Sequence, residues 1–478
     1  MSSLGPLKYG CVTAMLSSFR LLRGIHISDA SIDTMGVTVD TQPRNGDVKV
    51  GMHEEPQKSK RFQKTPCAIG CSAWCKKFFW EGQLLNEREQ VKQDVDLDGL
   101  PWHKKFMIKY RRLVAIGIPF VFFHFCWWGI AIQYELWYLF PEKYYMTLTM
   151  IFGSMIAGMT SEGGGAVAFP VMTLAFSIAP SVARDFSLMI QSCGMSAAAF
   201  TIFFMQVKLE WHSLTLCSLG GVAGTIFGLH VVDPNLTPPQ KKMGFVSIWF
   251  SFAFALFLLN LHHKRKTFHS IPDFGVGKAI ILLVTGVVGG IFTAFAGSGL
   301  DICSFSMLTL LFRVSEKVAT PTSVVLMAGN TLVGFYWRGV MLQAVSAEAW
   351  DYLFVCVPVV VLGAPLGSLI GTHFHRHILA SLVYIIDTIA LIGAFVLVKQ
   401  TKLLIGVSVG IIIFGFIFFF ILTKLGEWLM KRVENKLAET GKELDYSEDD
   451  IDAMKDTGHY NQAYEEPAEK RLSAISHL

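Results

Sequence analysis

The sequence predicts an all-α polytopic membrane protein with about twelve hydrophobic segments, two inverted-topology repeats and Gly-broken re-entrant helices. Three observations predict it. Of 478 residues, 52% are hydrophobic and 16% charged, where a soluble domain carries about a quarter charged residues. The charge is displaced to the two ends, leaving Arg112 to Leu422 mostly apolar. A glycine-rich interruption, Gly158-Met-Thr-Ser-Glu-Gly-Gly-Gly165 with Pro170 behind it, recurs about 130 residues later as Gly289-Gly290, Phe295-Ala296, Gly297-Ser-Gly299 and Asp301. A formal net charge of +4 is too small to indicate a nucleic-acid partner. The lipid bilayer is the partner that composition demands.

Residues 1–102 read as a cytosolic, largely disordered extension. Lys8, Arg20 and Arg23 precede the first acid, Asp29, which fits either an organelle presequence or an ordinary tail. Cys67, Cys71 and Cys75 share one face if helical, and Lys76, Lys77 and three aromatics follow. Residues 67–80 are therefore either a membrane-surface helix carrying palmitoyl chains or an amphipathic patch with unmodified thiols. Cys126, Cys193, Cys217, Cys303 and Cys356 fall in apolar spans, where Cys acts as a small hydrophobe.

Residues 103–424 form the transmembrane domain, opening on the basic collar His103 to Arg112. Spans are expected at 113–131, 143–159, 165–180, 183–206, 211–231, 239–261, 277–296, 300–313, 317–337, 349–372, 378–398 and 402–423. The collar and the loop His-His-Lys-Arg-Lys within 262–278 set the amino terminus inside, with Lys241, Lys242, Lys399 and Lys402 against. Residues 425–478 are an amphipathic stretch, Glu427 to Leu437, and an acidic tail. Both termini are then cytosolic, in a plasma membrane or endomembrane. Repeat one covers about 143–261 and repeat two about 277–398, offset by five segments. An odd offset makes the two glycine motifs enter from opposite sides, and the short segments around them read as re-entrant.

Breaking a helix inside lipid frees backbone N–H groups, which carry partial positive charge at helix amino ends and suit an anion. Candidate donors are Gly163, Gly164, Gly165, Gly297, Ser298 and Gly299, with Thr160, Ser161, Gln191, Ser192, Thr320, Thr322, Ser323 and Asn330 adding side chains. The competing reading is that the glycines only let helices pack closely. Carboxyls inside a membrane are expensive and default to functional candidates. Glu162, Asp185 and Asp301 are candidates for proton coupling, Arg184–Asp185 could equally be a structural pair, and Asp387 lies within segment eleven. His262-His263 and His373-Phe-His375-Arg-His377 are poorly spaced for iron, so no metal, cofactor or enzymatic activity is expected.

With these residues in view, roughly 145–400 resembles the TauE/SafE family of membrane permeases. The resemblance is carried by Gly158…Gly163-Gly164-Gly165…Pro170 and its echo Gly290…Gly297-Ser-Gly299 with Ala319-Thr-Pro-Thr-Ser323. It implies a permease for small oxyanions such as sulfite and organosulfonates. This chain departs from the family in its long tails, in Ser298 standing where the first motif has Gly164, and in Asp301-Ile-Cys303. Three activities are then in play: a secondary transporter of a small anion, an anion channel on the same scaffold, and a membrane enzyme using the inner histidines.

Overall fold

The computed structural model describes residues 109–160, 162–261, 267–371 and 376–440, with Trp102, Phe106 and Phe374. Ser161, Cys67, Cys71, Cys75, His262, His263, His373, His375 and the acidic tail lie outside the described residues. Each of the twelve expected segments is a helix: α1 (Arg111–Gln133), α2 (Leu139–Met159), α3 (Gly165–Pro170), α4 (Pro180–Phe204), α5 (Trp211–Phe227), α6 (Pro238–Leu261), α7 (Val276–Ala296), α8 (Leu300–Ser306), α9 (Glu316–Tyr336), α10 (Ala347–Gly371), α11 (Arg376–Leu397) and α12 (Lys402–Thr440). Helices α3, α5, α8 and α9 each run on into a five-residue π turn. Nine described helices are long and apolar enough to cross a membrane, while α3 and α8, even with their π turns, reach only Gly165–Ala175 and Leu300–Leu311. Among the described residues there is no strand, only the isolated parallel bridge between Phe268 and Val314. The expected boundary at 424–425 falls inside α12, because no Pro interrupts it and Gly426 packs against the Leu310 carbonyl.

The short helices double back. Tyr145, early in α2, meets Phe176, just beyond α3, with ring centroids 4.5 Å apart. Phe268, ahead of α7, donates its N–H to the Arg313 carbonyl beyond α8 and accepts from the Ser315 N–H, both at 2.9 Å. Each broken pair is thus a hairpin whose ends return to the side they left. The first hairpin opens beside the start of α4, since Phe176 lies just ahead of Pro180. The second opens beside the other end, where Glu210 Oε2 accepts from the Ile271 N–H at 3.1 Å. The hairpins therefore enter from opposite ends of α4. Arg111 donates to the Phe204 carbonyl at 2.9 Å, and Glu427 faces Arg313 at 3.7 Å. The start of α1 and the late part of α12 share the end at which the second hairpin opens.

Around the two breaks, local geometry recurs at a spacing of 136 residues. Left-handed backbone falls at Gly163 and Gly299 and at Ser177 and Arg313. The π turns begin at Val171 and Met307, and α5 and α10 begin at Trp211 and Ala347. In this register Ser298 corresponds to Glu162, and Asp301 to Gly165. The expected pairing of Ser298 with Gly164 is thereby corrected, because positive φ aligns the motifs where glycine counting does not. Packing follows the same pattern. Helix α2 runs along α10, joined by the Tyr145–Tyr352 hydroxyl bond at 2.9 Å, and α5 runs along α7, where Cys217 Sγ donates to the Leu282 carbonyl at 3.2 Å. The first helix of each half packs on the fourth of the other, an exchange that a two-fold relation between halves requires.

Small residues make these contacts close. A methyl group at Gly158, Gly220, Gly224 or Gly290 would run into the partner helix main chain. Close packing is thus the role of these glycines. An outer layer forms where α6 packs on both α11 and α12. Phe169 on α3 is fully buried against Phe245 on α6, rings 4.7 Å apart, and α11 reaches the π turn of α3 through Gly393 and Leu174.

Candidate functional site

Helix α2 stops because Thr160 turns extended (φ −116°, ψ 169°) and Gly163 is left-handed at φ 69°. A side chain at Gly163 would also lack room: its Cβ would lie 2.7 Å from Asp301 Oδ2 and 2.7 Å from Gln191 Oε1. Helix α7 stops at Gly297 (φ 82°), and α8 restarts after Gly299 (φ 151°). The two breaks touch. Ser298 Oγ lies 3.2 Å from the Glu162 carbonyl and 3.2 Å from Asp301 Oδ2, its one hydroxyl proton serving one of them at a time. Gln191, halfway along α4, donates Nε2 to the Gly297 carbonyl at 2.8 Å and ties the second break to the first. Thr160, Glu162, Gln191, Ser298 and Asp301 are all buried.

The two amino ends differ. At α8, Asp301 Oδ1 accepts from the Gly299 N–H at 3.0 Å, and Thr293 Oγ1 accepts from the Leu300 N–H at 3.3 Å. These bonds satisfy the Gly299 and Leu300 amides, and among the described residues no side chain caps the Asp301 and Ile302 amides that follow. At α3, the first backbone bond is Ala168 N–H to the Gly164 carbonyl. Among the described residues, none accepts from the amides of Gly164, Gly165, Ala166 or Val167. They are the orphan donors of a helix start, held inside protein. Beside Gly164 is a void of about 10 Å³ with room for about one water, lined mainly by apolar groups of Met150, Ala157, Ile190, Met195, Val360 and Ala364, with Gln191 and Ser154 at its edge.

The carboxyl that spacing alone does not attach to this site is Asp387. Helix α11 brings it within hydrogen-bonding reach of the Glu162 side chain. Both are 1–2% exposed, and neither Glu162 oxygen nor Asp387 Oδ2 has another partner. The signal for Asp387 was present as a lone acid inside an apolar span. What the sequence lacked was its distance from Glu162.

Other expected residues lie elsewhere. Thr322 Oγ1 accepts from the Glu210 N–H at 3.0 Å, Ser323 donates to the Thr320 carbonyl, and Asn330 Oδ1 accepts from Thr225 Oγ1 at 3.0 Å. Thr322 serves the connection from α4 to α5, Asn330 the α5–α9 contact, and Ser323 bonds within its own helix. Ser192 Oγ donates back to the Met189 carbonyl at 2.6 Å. Asp185 is held by Arg184 at 2.7 Å and Arg338 at 2.8 Å, while Asp233 takes Lys241 at 2.6 Å and also meets Arg184. This network pins the starts of α4 and α6 to the ends of α5 and α9. The Lys241 ammonium is thereby committed to an ion pair. Among the described residues, no three His, Cys, Asp or Glu side chains are grouped to hold a metal ion.

A family model described as sulfite exporter TauE/SafE matches residues 146–394, just over half of the chain. No curated protein and no solved structure matches it. The matched stretch begins inside α2 and ends inside α11, so it contains both breaks, Gln191 and Asp387. The chain belongs to the sulfite exporter TauE/SafE family, a family of membrane transporters.

Proposed function

We propose that the protein is a secondary transporter of a small anion, sulfite or an organosulfonate, bound where the two broken hairpins meet. One observation carries this reading: the amides of Gly164 to Val167 face the protein interior without acceptors among the described residues, next to a void and a glycine cradle. An oxyanion supplies the acceptors those donors lack, and the helix amino end favours its charge. Gly163, Gly164 and Gly165 allow the ligand to approach the main chain, and Gln191 and Ser298 border it. Thr160 and Ser161 belong to the same break.

The void holds far less than an oxyanion, which fits a closed state that must open to load. That favours alternating access over an open anion pore. The same reading sets both termini on the cytosolic side of a plasma membrane or endomembrane, with repeat two opening to the cytosol. The test is counterflow in proteoliposomes with sulfite, sulfate, sulfoacetate, taurine and thiosulfate at two pH values. Saturable exchange of one or more sulfur anions is the expected result. Voltage-scaled flux without saturation would instead identify a channel.

A further inference from the structure

We propose that Glu162 and Asp387 together bind one proton, and that this proton is the coupling ion of transport. The geometry makes the first half of the claim independent of the substrate. The two carboxyls reach each other across the gap between the first break and α11. Ionised carboxylates only accept hydrogen bonds, so the pair is bonded only when one of them carries a proton. Among the described residues, no cationic side chain faces either carboxyl. The charged groups that face Glu162 are Asp387 and Asp301, and the one that faces Asp387 is Glu162. Gln191 from α4 and Ser298 from the second break complete the polar surroundings. The buried Arg184 on α4 and Lys241 on α6, and the half-buried Arg338 just beyond α9, are spent on Asp185 and Asp233. Both Glu162 oxygens and Asp387 Oδ2 are otherwise unpartnered and buried, a cost of several kcal/mol for a bare charge. A metal cation is the poorer occupant, because no three acidic or other ligating side chains converge among the described residues.

The second half rests on the transport reading above. Glu162 stands two residues before Gly164, whose amide begins the run of open donors. A bare carboxylate pair there repels an incoming anion, and a shared proton lowers that repulsion. Anion and proton therefore favour each other's binding, and the coupling is reciprocal. Asp387 is on α11, in the outer layer, while Glu162 is on the hairpin. Deprotonation removes the one hydrogen bond between them and leaves two like charges, a force that separates hairpin from outer layer. Proton release and hairpin movement become one event.

Two measurements on the full-length chain in lipid test this. Infrared difference spectra between low and high pH report the carboxylic C=O stretch directly. We expect a protonated-carboxyl band in the parent protein that Glu162→Gln and Asp387→Asn each remove. A band surviving both substitutions, or none in the parent protein, overturns the proton site. The second measurement is accumulation of radiolabelled sulfite in proteoliposomes under a pH gradient. One pH unit is worth about 1.36 kcal/mol per proton, about a tenfold concentration ratio. Glu162→Gln and Asp387→Asn should bring that ratio to about one, since amides keep the contact without carrying the proton. Glu162→Asp should restore part of the ratio. Accumulation by both amide variants, or a sodium gradient replacing the pH gradient, overturns the coupling. Absence of sulfite and organosulfonate counterflow in the parent protein overturns the transport reading instead, and the infrared band still decides the proton site.

Discussion

Two adjacent glycines should respond to alanine with opposite signs, and the comparison separates the ligand cradle from mere flexibility. Gly164 has φ −69° and ψ −20°, ordinary for any residue. A Cβ there would lie 3.6 Å from Gln191 Cγ, 3.7 Å from Ala157 Cβ and 3.9 Å from Met150 Cε, all normal contacts. Gly164→Ala should therefore stabilise the protein by about 0.4–1 kcal/mol through lost freedom in the unfolded chain. Gly163 has φ 69°, which costs an L residue roughly 1–2 kcal/mol, and its Cβ would displace Asp301 or Gln191. A displaced buried hydrogen-bonding group adds about 1–3 kcal/mol, so Gly163→Ala should cost about 2–5 kcal/mol.

Function should not follow stability. The Gly164 methyl group occupies the void beside the α3 amides, so the better-folded variant should be the poor transporter. Thermal unfolding of detergent-purified protein gives the rank order, read as relative rather than equilibrium values. Counterflow of sulfite, run beside it, gives the activity. Parent-like counterflow by Gly164→Ala would refute the assignment of the α3 amides as the anion contact. A Gly163→Ala protein as stable as the parent would refute the account of the break itself.

Asp185→Ala should cost about 3–5 kcal/mol and sharply lower the folded yield, because Arg338 and one side of Arg184 lose their only buried carboxylate there. Adding Arg338→Met should recover part of that loss, which a double-mutant cycle of melting points measures. Gln191→Leu should destabilise by about 1–3 kcal/mol by leaving the Gly297 carbonyl without its donor, and should impair counterflow more than that loss explains. Gly220→Leu should disrupt the α5–α7 seam by driving a side chain into the Leu283 and Val287 main chain, seen as loss of monodisperse protein.

Much of the fold was legible because a bilayer restricts the options. Apolar runs near twenty residues must be helical, and all twelve expected segments are helices. The doubling back of α3 and α8 was readable from their length, since eleven or twelve apolar residues cannot cross. The π turns were not readable, because nothing in Val171–Ala175 or Met307–Leu311 distinguishes them from α-helix by composition. The structure brings the glycine breaks, Glu162, Asp301 and Gln191 together, whereas Thr322, Ser323 and Asn330 bond neighbouring groups away from them. Hydroxyls and amides on a buried helix are equally good at satisfying neighbouring main chain, and only distances tell which they do. Asp387 failed for the converse reason: its partner is more than two hundred positions away, and no local pattern encodes that contact.

The constant register sharpens what the repeat is for. Position for position, Gly165 at the head of α3 answers to Asp301 at the head of α8. The Asp301 carboxyl accepts from the Gly299 amide and faces the Ser298 hydroxyl. Gly165 has no side chain to offer, and its Cβ position is already crowded by Gln191 Nε2 at 2.7 Å and Ser298 Cβ at 2.8 Å. One half-site thus carries a carboxyl group of its own where the other has only main-chain donors. Two open amino ends facing each other would concentrate positive potential on one spot and bind an oxyanion too tightly to release. Two capped ends would bind none. On the proposed reading, breaking the symmetry at this single pair leaves one loading position, beside the Asp301 carboxyl. On that reading the departure from symmetry, rather than the symmetry, makes a binding site out of two matching breaks.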